Sequence, residues 1–323
     1  MRAQSNGPVL ALSGGVGGAK LALGLSRFMA PERLTIVANT GDDFVHLGLH
    51  VSPDIDTLVY TLSGLANTEL GWGRAGETWA FMAALKALGG ETWFQLGDGD
   101  LAMHVERGRR LAAGESLGAI TADLSARLGI TAAILPMSDD PVRTIVETPD
   151  GPLDFQHYFV RERCAPTVTG FRFQGVETAQ AQPGFLDALN DPDLAAVIIC
   201  PSNPFISIDP ILALSGVRAA LAACPAPKIA VSPIVDGRAI KGPTAKMMGE
   251  LGMPATAAAV AAHYGDLIDG FVIDQADAAT ADDLRAASLH VHVTNTIMKS
   301  VEDRENLARE VLGFGAKMRD GGP

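Results

Sequence analysis

Seven short apolar runs alternate with stretches of helical periodicity, and this alternation limits what the chain can fold into more than anything else in it. The runs "PVLAL", "LTIVA", "AAILP", "AAVIIC", "KIAVS", "GFVID" and "LHVHV" read as strands. Several are apolar throughout, as expected in a parallel sheet covered on both faces. Between them, "AKLALGLSRFM", "ETWAFMAALKAL", "DPILALSGVRAAL" and "ATAAAVAAHY" read as amphipathic or alanine-rich helices. The pattern predicts an α/β chain with a doubly wound, mostly parallel sheet.

One section breaks the rhythm. From 142 to 176, "VRTIVETPDGPLDFQHYFVRERCAPTVTGFRFQGV" alternates polar and apolar residues around "PDGP". It predicts a small antiparallel β subdomain inserted into a single α/β domain spanning 1–323. The 323 residues are 47% hydrophobic and 19% charged, ordinary for a globular enzyme. A net charge of -12 without a Lys/Arg run argues against a nucleic-acid partner. Cys164, Cys200 and Cys224 are far apart and form no CxxC pair, which fits a reducing compartment rather than a disulfide or zinc framework. The start, "MRAQSNGPVLALSGG", lacks the charged-then-apolar layout of a leader, and no run approaches a membrane span. A cytoplasmic protein is expected.

Open α/β sheets bind ligands at the carboxyl ends of their strands. The segments following the proposed strands are "SGGVGG", "NTGDD", "MSDDP", "PSNPF" and "SPIV", all small, hydroxylated, amide or acidic. In "LSGGVGGAK", Gly14, Gly15, Gly17 and Gly18 match neither the P-loop nor the dinucleotide fingerprint, since Ala19 precedes Lys20, Leu21 follows it and Lys20 stands where the third fingerprint glycine would fall. Two readings remain: backbone N–H groups approaching a phosphate with Lys20 adding charge, or a tight turn. Asp42, Asp43, Asp54 and Asp56 lie within fifteen positions and suit Mg²⁺ shared with phosphates, with Asp56 alternatively capping a helix that starts near Thr57. In "LGDGDLAMH", Asp100 reads as a helix cap, while Asp98 stays open. Ser202 and Asn203 could form turns or read a ring edge or a polyol. His290 and His292 lack a third ligand and read as packing residues, Arg109 and Arg110 as a solvated face, and Trp72 in a loop as a wall for a flat ligand. "ESLGAITADLSARLGI" has helix-turn-helix spacing but only Arg127 for a nucleic-acid backbone, so it reads as helical packing.

Taken together and in order, "SGGVGGAKLALGL", "NTGDDFVHLGLHVSPDIDTLVY", "LGDGDLAMH", "LPMSDDPVRTIVET", "PSNPFISIDPIL", "VSPIVDGRAIKGPTAKMM" and "HVTNTIMKS" resemble the 2-phospho-L-lactate transferases of deazaflavin coenzyme F-420 biosynthesis over nearly the whole chain. The resemblance implies a Rossmann-like core with extra helices and a small β portion. It implies transfer of a phospholactyl or phosphoenolpyruvyl group from its guanosine diphosphate-activated form to the ribityl hydroxyl of the deazaflavin Fo. GMP is released, Mg²⁺ is required, and the enzyme is a homodimer. Carried over by position, Gly14, Gly15, Gly17, Gly18 and Lys20 approach the diphosphate. Ser138 and Asp139 of "MSDDP" and Ser232 of "SPIV" help close the nucleotide side. Asp43, Asp54 and Asp56 hold Mg²⁺ or orient the Fo hydroxyl, one of them accepting its proton. Asn39, Thr40, Asp98, Ser202, Asn203 and Pro204 border the Fo substrate. The chain departs from the family pattern at Gly99, where a basic residue is usual, so a basic contact from that position is in question. No residue discriminates the two three-carbon acids. The rival is a non-catalytic regulatory protein of the same superfamily that binds a uridine nucleotide-sugar, but such proteins carry a "PPGD"-type element where this chain has "SPDIDT". An NAD-dependent oxidoreductase lacks its third glycine.

Overall fold

The computed structural model describes residues 7–321; the leader-free reading of "MRAQSN" falls outside them. All seven expected strands form, as β1 (Val9–Ser13), β2 (Leu34–Ala38), β3 (Ala133–Pro136), β4 (Ala196–Ile199), β5 (Lys228–Val231), β6 (Gly270–Asp274) and β7 (His290–Thr294). They make one parallel sheet in the order β7-β6-β5-β4-β1-β2-β3. The chain runs outward from β1 to β3, then crosses back to lay β4 against β1 and runs outward the other way. The order therefore reverses between β1 and β4, and a crevice opens there beyond the strand ends.

Two buried clusters cover the two faces of the sheet, because strands apolar on both sides need helices on both. Helix α1 (Gly15–Phe28) turns Leu21, Ala22 and Leu25 inward and packs against the helix Val301–Arg319. The backbones meet closely at Gly24, where a Cβ would stand 2.1 Å from the Arg304 carbonyl oxygen. Helix α2 (Pro53–Ser63) opens with Ser52 and Pro53, a favoured helix start, and stops at Gly64, whose φ is +76°. It begins four residues before the expected Thr57, so Asp56 is not its cap.

The "DPILALSGVRAAL" stretch divides into Asp209–Ala213 and Val217–Ala223, because Gly216 adopts a φ of +80° between them. The small antiparallel β element forms from Arg143–Glu147, Leu153–Asp154 and Gly170–Gln174. A second hairpin pairs Phe44–His46 with Leu49–Val51 through Leu47 and Gly48, both at positive φ. "ESLGAITADLSARLGI" holds one helix, Leu117–Arg127, capped by Ser116. Among the described residues no single helix is long and apolar enough to cross a membrane.

Candidate functional site

A cavity of about 650 Å³ occupies the crevice at the switch point. Its floor is the start of α1 and the loop after β4, which the sequence joins closely. Ser202 Oγ accepts from the Gly14 N–H (3.1 Å) and donates to the Gly14 carbonyl (2.8 Å). A Cβ on Gly17 would stand 2.2 Å from the Pro201 carbonyl oxygen, and one on Gly18 would meet the hydroxyls of Ser13 and Ser202. Gly15 differs: its φ is +63° and nothing lies within 4 Å of its absent side chain. Most of the glycine run is thus explained by close packing across the switch point. Gly14, Gly15 and Gly17 still present backbone to the cavity, and the Gly15 N–H already donates to Asp54 Oδ1 at 2.7 Å.

The acidic wall comes from the loop after β2 and the first turn of α2. Residues two apart in a helix point well away from each other, and Asp54 and Asp56 accordingly meet different partners. Asp54 receives Gly15 N–H and Asn39 Nδ2 (3.0 Å), whereas Asp56 is bound through both oxygens by Arg107. Burial raises the Asp54 carboxyl to about 6 against those two donors, with Asp43 and Asp56 adding repulsion. Asp42 also lines the cavity and is raised well above the usual range by burial and then by Asp54. Its Oδ1 has no partner. Asp43 lies behind, its Oδ2 accepting from Ser52 Oγ (2.7 Å) and facing His50 Nε2 (3.0 Å), while its Oδ1 is buried and unpartnered. Among the described residues no three His, Cys, Asp or Glu side chains gather tightly enough to hold a metal alone, so Asp43, Asp54 and Asp56 do not form a three-ligand site.

Helix α3 (Ala80–Ala87) and helix α4 (Asp98–Ala112) show how the remaining acids are used. Asp98 accepts from the Ala80 and Phe81 N–H groups and caps α3, off the cavity. Glu77 takes the Gly99 and Asp100 N–H groups and caps α4 in turn. Asp100, freed from the capping role expected of it, lines the cavity and accepts the Tyr60 hydroxyl at 2.5 Å. Burial opposes its ionisation, but His104, whose Nε2 stands 3.2 Å away, and Tyr60 hold its carboxyl below the usual value. Arg107, 1% exposed, bonds Asp56 and touches His104 Nδ1 at 3.4 Å. In sequence, the adjacent Arg109 and Arg110 stand out more than Asp100, His104 and Arg107 do as a set. Their 4- and 3-residue spacing on one face of α4 was the available signal. Arg110 is mostly covered and bonds Glu115 and Asp123, unlike a freely solvated residue. Beside Gly99 a Cβ would meet the Arg74 guanidinium, so that space holds a cation from elsewhere in the chain.

Of the other expected residues, Asn203, Ser232 and Lys20 line the cavity. Asn39 acts one step back, orienting Asp54. Thr40 is buried with an unpartnered hydroxyl, and Pro204 opens the turn after Asn203; neither lines the cavity. Ser138 donates to the Gln180 carbonyl and Asp139 accepts from the Gly118 N–H, placing "MSDDP" away from the cavity at the outer strand β3. His292 pairs with Glu310 and stacks on Phe314, a packing role. The cavity is also lined by Trp72, Phe94 and the inserted element's Phe155 and Phe159, the last two stacked at 5.4 Å.

Residues 9–311 match the family model described as 2-phospho-L-lactate transferase CofD. The chain is 41% identical over 320 residues to a phosphoenolpyruvate transferase of Kitasatospora aureofaciens, covering 97% of this chain and 99% of that one. It is 37% identical over 304 residues to a 2-phospho-L-lactate transferase of Methanosarcina mazei, covering 94% and 99%. A crystal structure of a UPF0052 family protein from Bacillus halodurans shares the fold at a TM-score of 0.61 and 13% identity, over 95% of this chain and 98% of that one.

Proposed function

The chain belongs to the 2-phospho-L-lactate transferase family, and on that premise we propose that it transfers a phosphoenolpyruvyl or phospholactyl group from its guanosine diphosphate-activated form to the ribityl hydroxyl of Fo, releasing GMP. The 41% likeness to a phosphoenolpyruvate transferase favours the enolpyruvyl donor. The proposal includes Mg²⁺ as cofactor, a cytoplasmic setting, small-molecule substrates and a homodimer.

The observation that carries the reading is that one cavity is lined both by buried carboxylates beside a helix N-terminus and by the aromatic rings of Trp72, Phe94, Phe155 and Phe159. The aromatic side suits a flat deazaflavin ring; Ser202 and Asn203, at the junction, suit its polyol chain. The α1 N-terminus suits a diphosphate through its helix dipole. Two buried carboxylates, Asp42 and Asp54, raised first by burial and further by neighbouring acids, with one Asp42 oxygen orphaned, are the donor set expected for a hard cation. In this reading Asp54 and Asp42 would hold Mg²⁺, with Asp43 behind them, and a hard cation of this kind needs few protein carboxylates beside substrate phosphates. The pairing of Asp56 with Arg107 moves Asp56 from the ligand set to a supporting place.

Bound there, Mg²⁺ would neutralise charge growing on the phosphoryl oxygens. The Fo oxygen forms a bond to the phosphorus distal to guanosine, the bond from that phosphorus to the GMP oxygen breaks, and the Fo hydroxyl proton passes to a wall carboxylate. Positioning and electrostatics supply the acceleration. The test is GMP release from the activated donor in the presence of Fo. It should require Fo and cease when EDTA removes divalent metal. Absence of GMP release with Mg²⁺, Fo and either donor would refute the assignment and favour a non-catalytic nucleotide binder.

A further inference from the structure

The cavity has a third side whose chemistry neither the acids nor the aromatics explain. Lys20 and Lys241 both line it. Lys20 Nζ donates to the Met298 carbonyl at 2.9 Å, and Lys241 Nζ donates to the Gly71 carbonyl at 3.1 Å. Among the described residues neither lysine meets a carboxylate, although the chain carries 37 acids against 25 Lys and Arg. Lys228 and Lys246, by contrast, are paired with Asp269 and Glu250. Arg304 lies close enough to act on Lys20, and its buried Nε has no partner. Burial, then Arg304 and Lys241, lower the Lys20 pKa, so three cations stand near one another at an energetic cost that an anion would offset.

We infer that this side is the subsite for the carboxylate of the donor's three-carbon acid, with Lys241 as its principal contact and Lys20 beside it. The inference rests on the transferase reading above and names what that reading leaves open: how the site tells an activated acid from a plain guanosine nucleotide. In either donor the carboxylate sits on the carbon bearing the phosphate ester oxygen, so it must lie close to the reacting phosphorus. The acidic wall repels a carboxylate. A cation without an acidic partner, facing the same cavity, is the complement. Lys241 lies in the turn before the helix Thr244–Glu250, and its bond to Gly71 ties that turn to the loop bearing Trp72. The same amine can therefore meet the substrate and hold the cavity mouth.

The test measures dissociation constants by calorimetry, with Mg²⁺ and without Fo, for phosphoenolpyruvyl guanosine diphosphate and for GDP. Lys241→Met should weaken the donor about tenfold, as expected for loss of one charged hydrogen bond, and leave GDP affinity unchanged. Lys241→Arg should restore donor binding. Lys241 is exposed, so both variants should melt like the parent. Equal weakening of donor and GDP would overturn the inference, because the lysine would then be reading the diphosphate. An unchanged donor affinity would also overturn it. If the parent protein releases GMP normally, those results strike only the carboxylate subsite. If the parent binds no donor, the transferase reading falls and the subsite with it.

Discussion

Asp54 and Asp56 stand two positions apart in the first turn of one helix, and their surroundings give them opposite electrostatic tasks. Asp54 is raised from 3.8 to about 6, so the folded protein holds its proton more tightly than the unfolded chain does. Without metal, the fold should lose stability as pH rises through that window and carry the full penalty above it, about 3 kcal/mol for such a shift. Urea unfolding of the metal-free protein checks this. Between about pH 4 and about pH 7, Asp54→Asn should gain on the parent by that order, and a constant difference would disprove the burial argument. Asp56 is instead the counter-ion of a buried guanidinium. As a helix cap or metal ligand alone, Asp56 would tolerate amide replacement without loss of the fold; as the partner of Arg107 it does not. That change should cost about 3 kcal/mol of unfolding free energy. Adding Arg107→Met should recover much of it. If Asp56→Asn unfolds like the parent, the pair is not supporting the wall.

At the level of elements, the β1 turn and the β4 loop form one packed unit, and the glycines between them serve that packing first. Gly17→Val pushes a side chain into the Pro201 carbonyl, so thermal unfolding should show a loss of about 3 kcal/mol. Weakened donor binding with unchanged melting would instead return Gly17 to a direct ligand contact. The strands were readable because buried parallel strands have little freedom in composition. The helix starts were less so: Ser52 and Pro53 set the start of α2, yet the acids after them look like caps in sequence. The hairpin Phe44–Val51 was missed because "FVHLGLHV" carries its turn on Leu47 and Gly48, without the Asn-Gly or Asp-Gly pair that marks such turns most strongly.

Across the whole molecule, the site draws on regions remote in sequence, and that decided how much of it could be read in advance. Residues immediately after β1, β2, β4 and β5 could be gathered onto one rim from the strand pattern alone. Ser202 beside Gly14, and Asn39 beside Asp54, are the result. His104, Lys241 and Phe155 could not, because each enters from a helix, a turn or an inserted β element whose docking depends on tertiary packing. "MSDDP" shows the reverse error: it follows the edge strand β3, but its loop packs against the Gln180 segment rather than the cavity. Edge position alone does not decide this, since Thr296 and Met298, after the edge strand β7, do line the cavity; the partners the loop packs against decide it.

The most direct test of the account is a crystal structure of the protein soaked with Fo, GDP and Mg²⁺. The diphosphate should lie at the start of α1 near Asp42 and Asp54, with the metal beside those carboxylates and the deazaflavin ring along Trp72, Phe94 and Phe155. Ligands bound outside this cavity, with Asp42 and Asp54 left facing solvent, would contradict it.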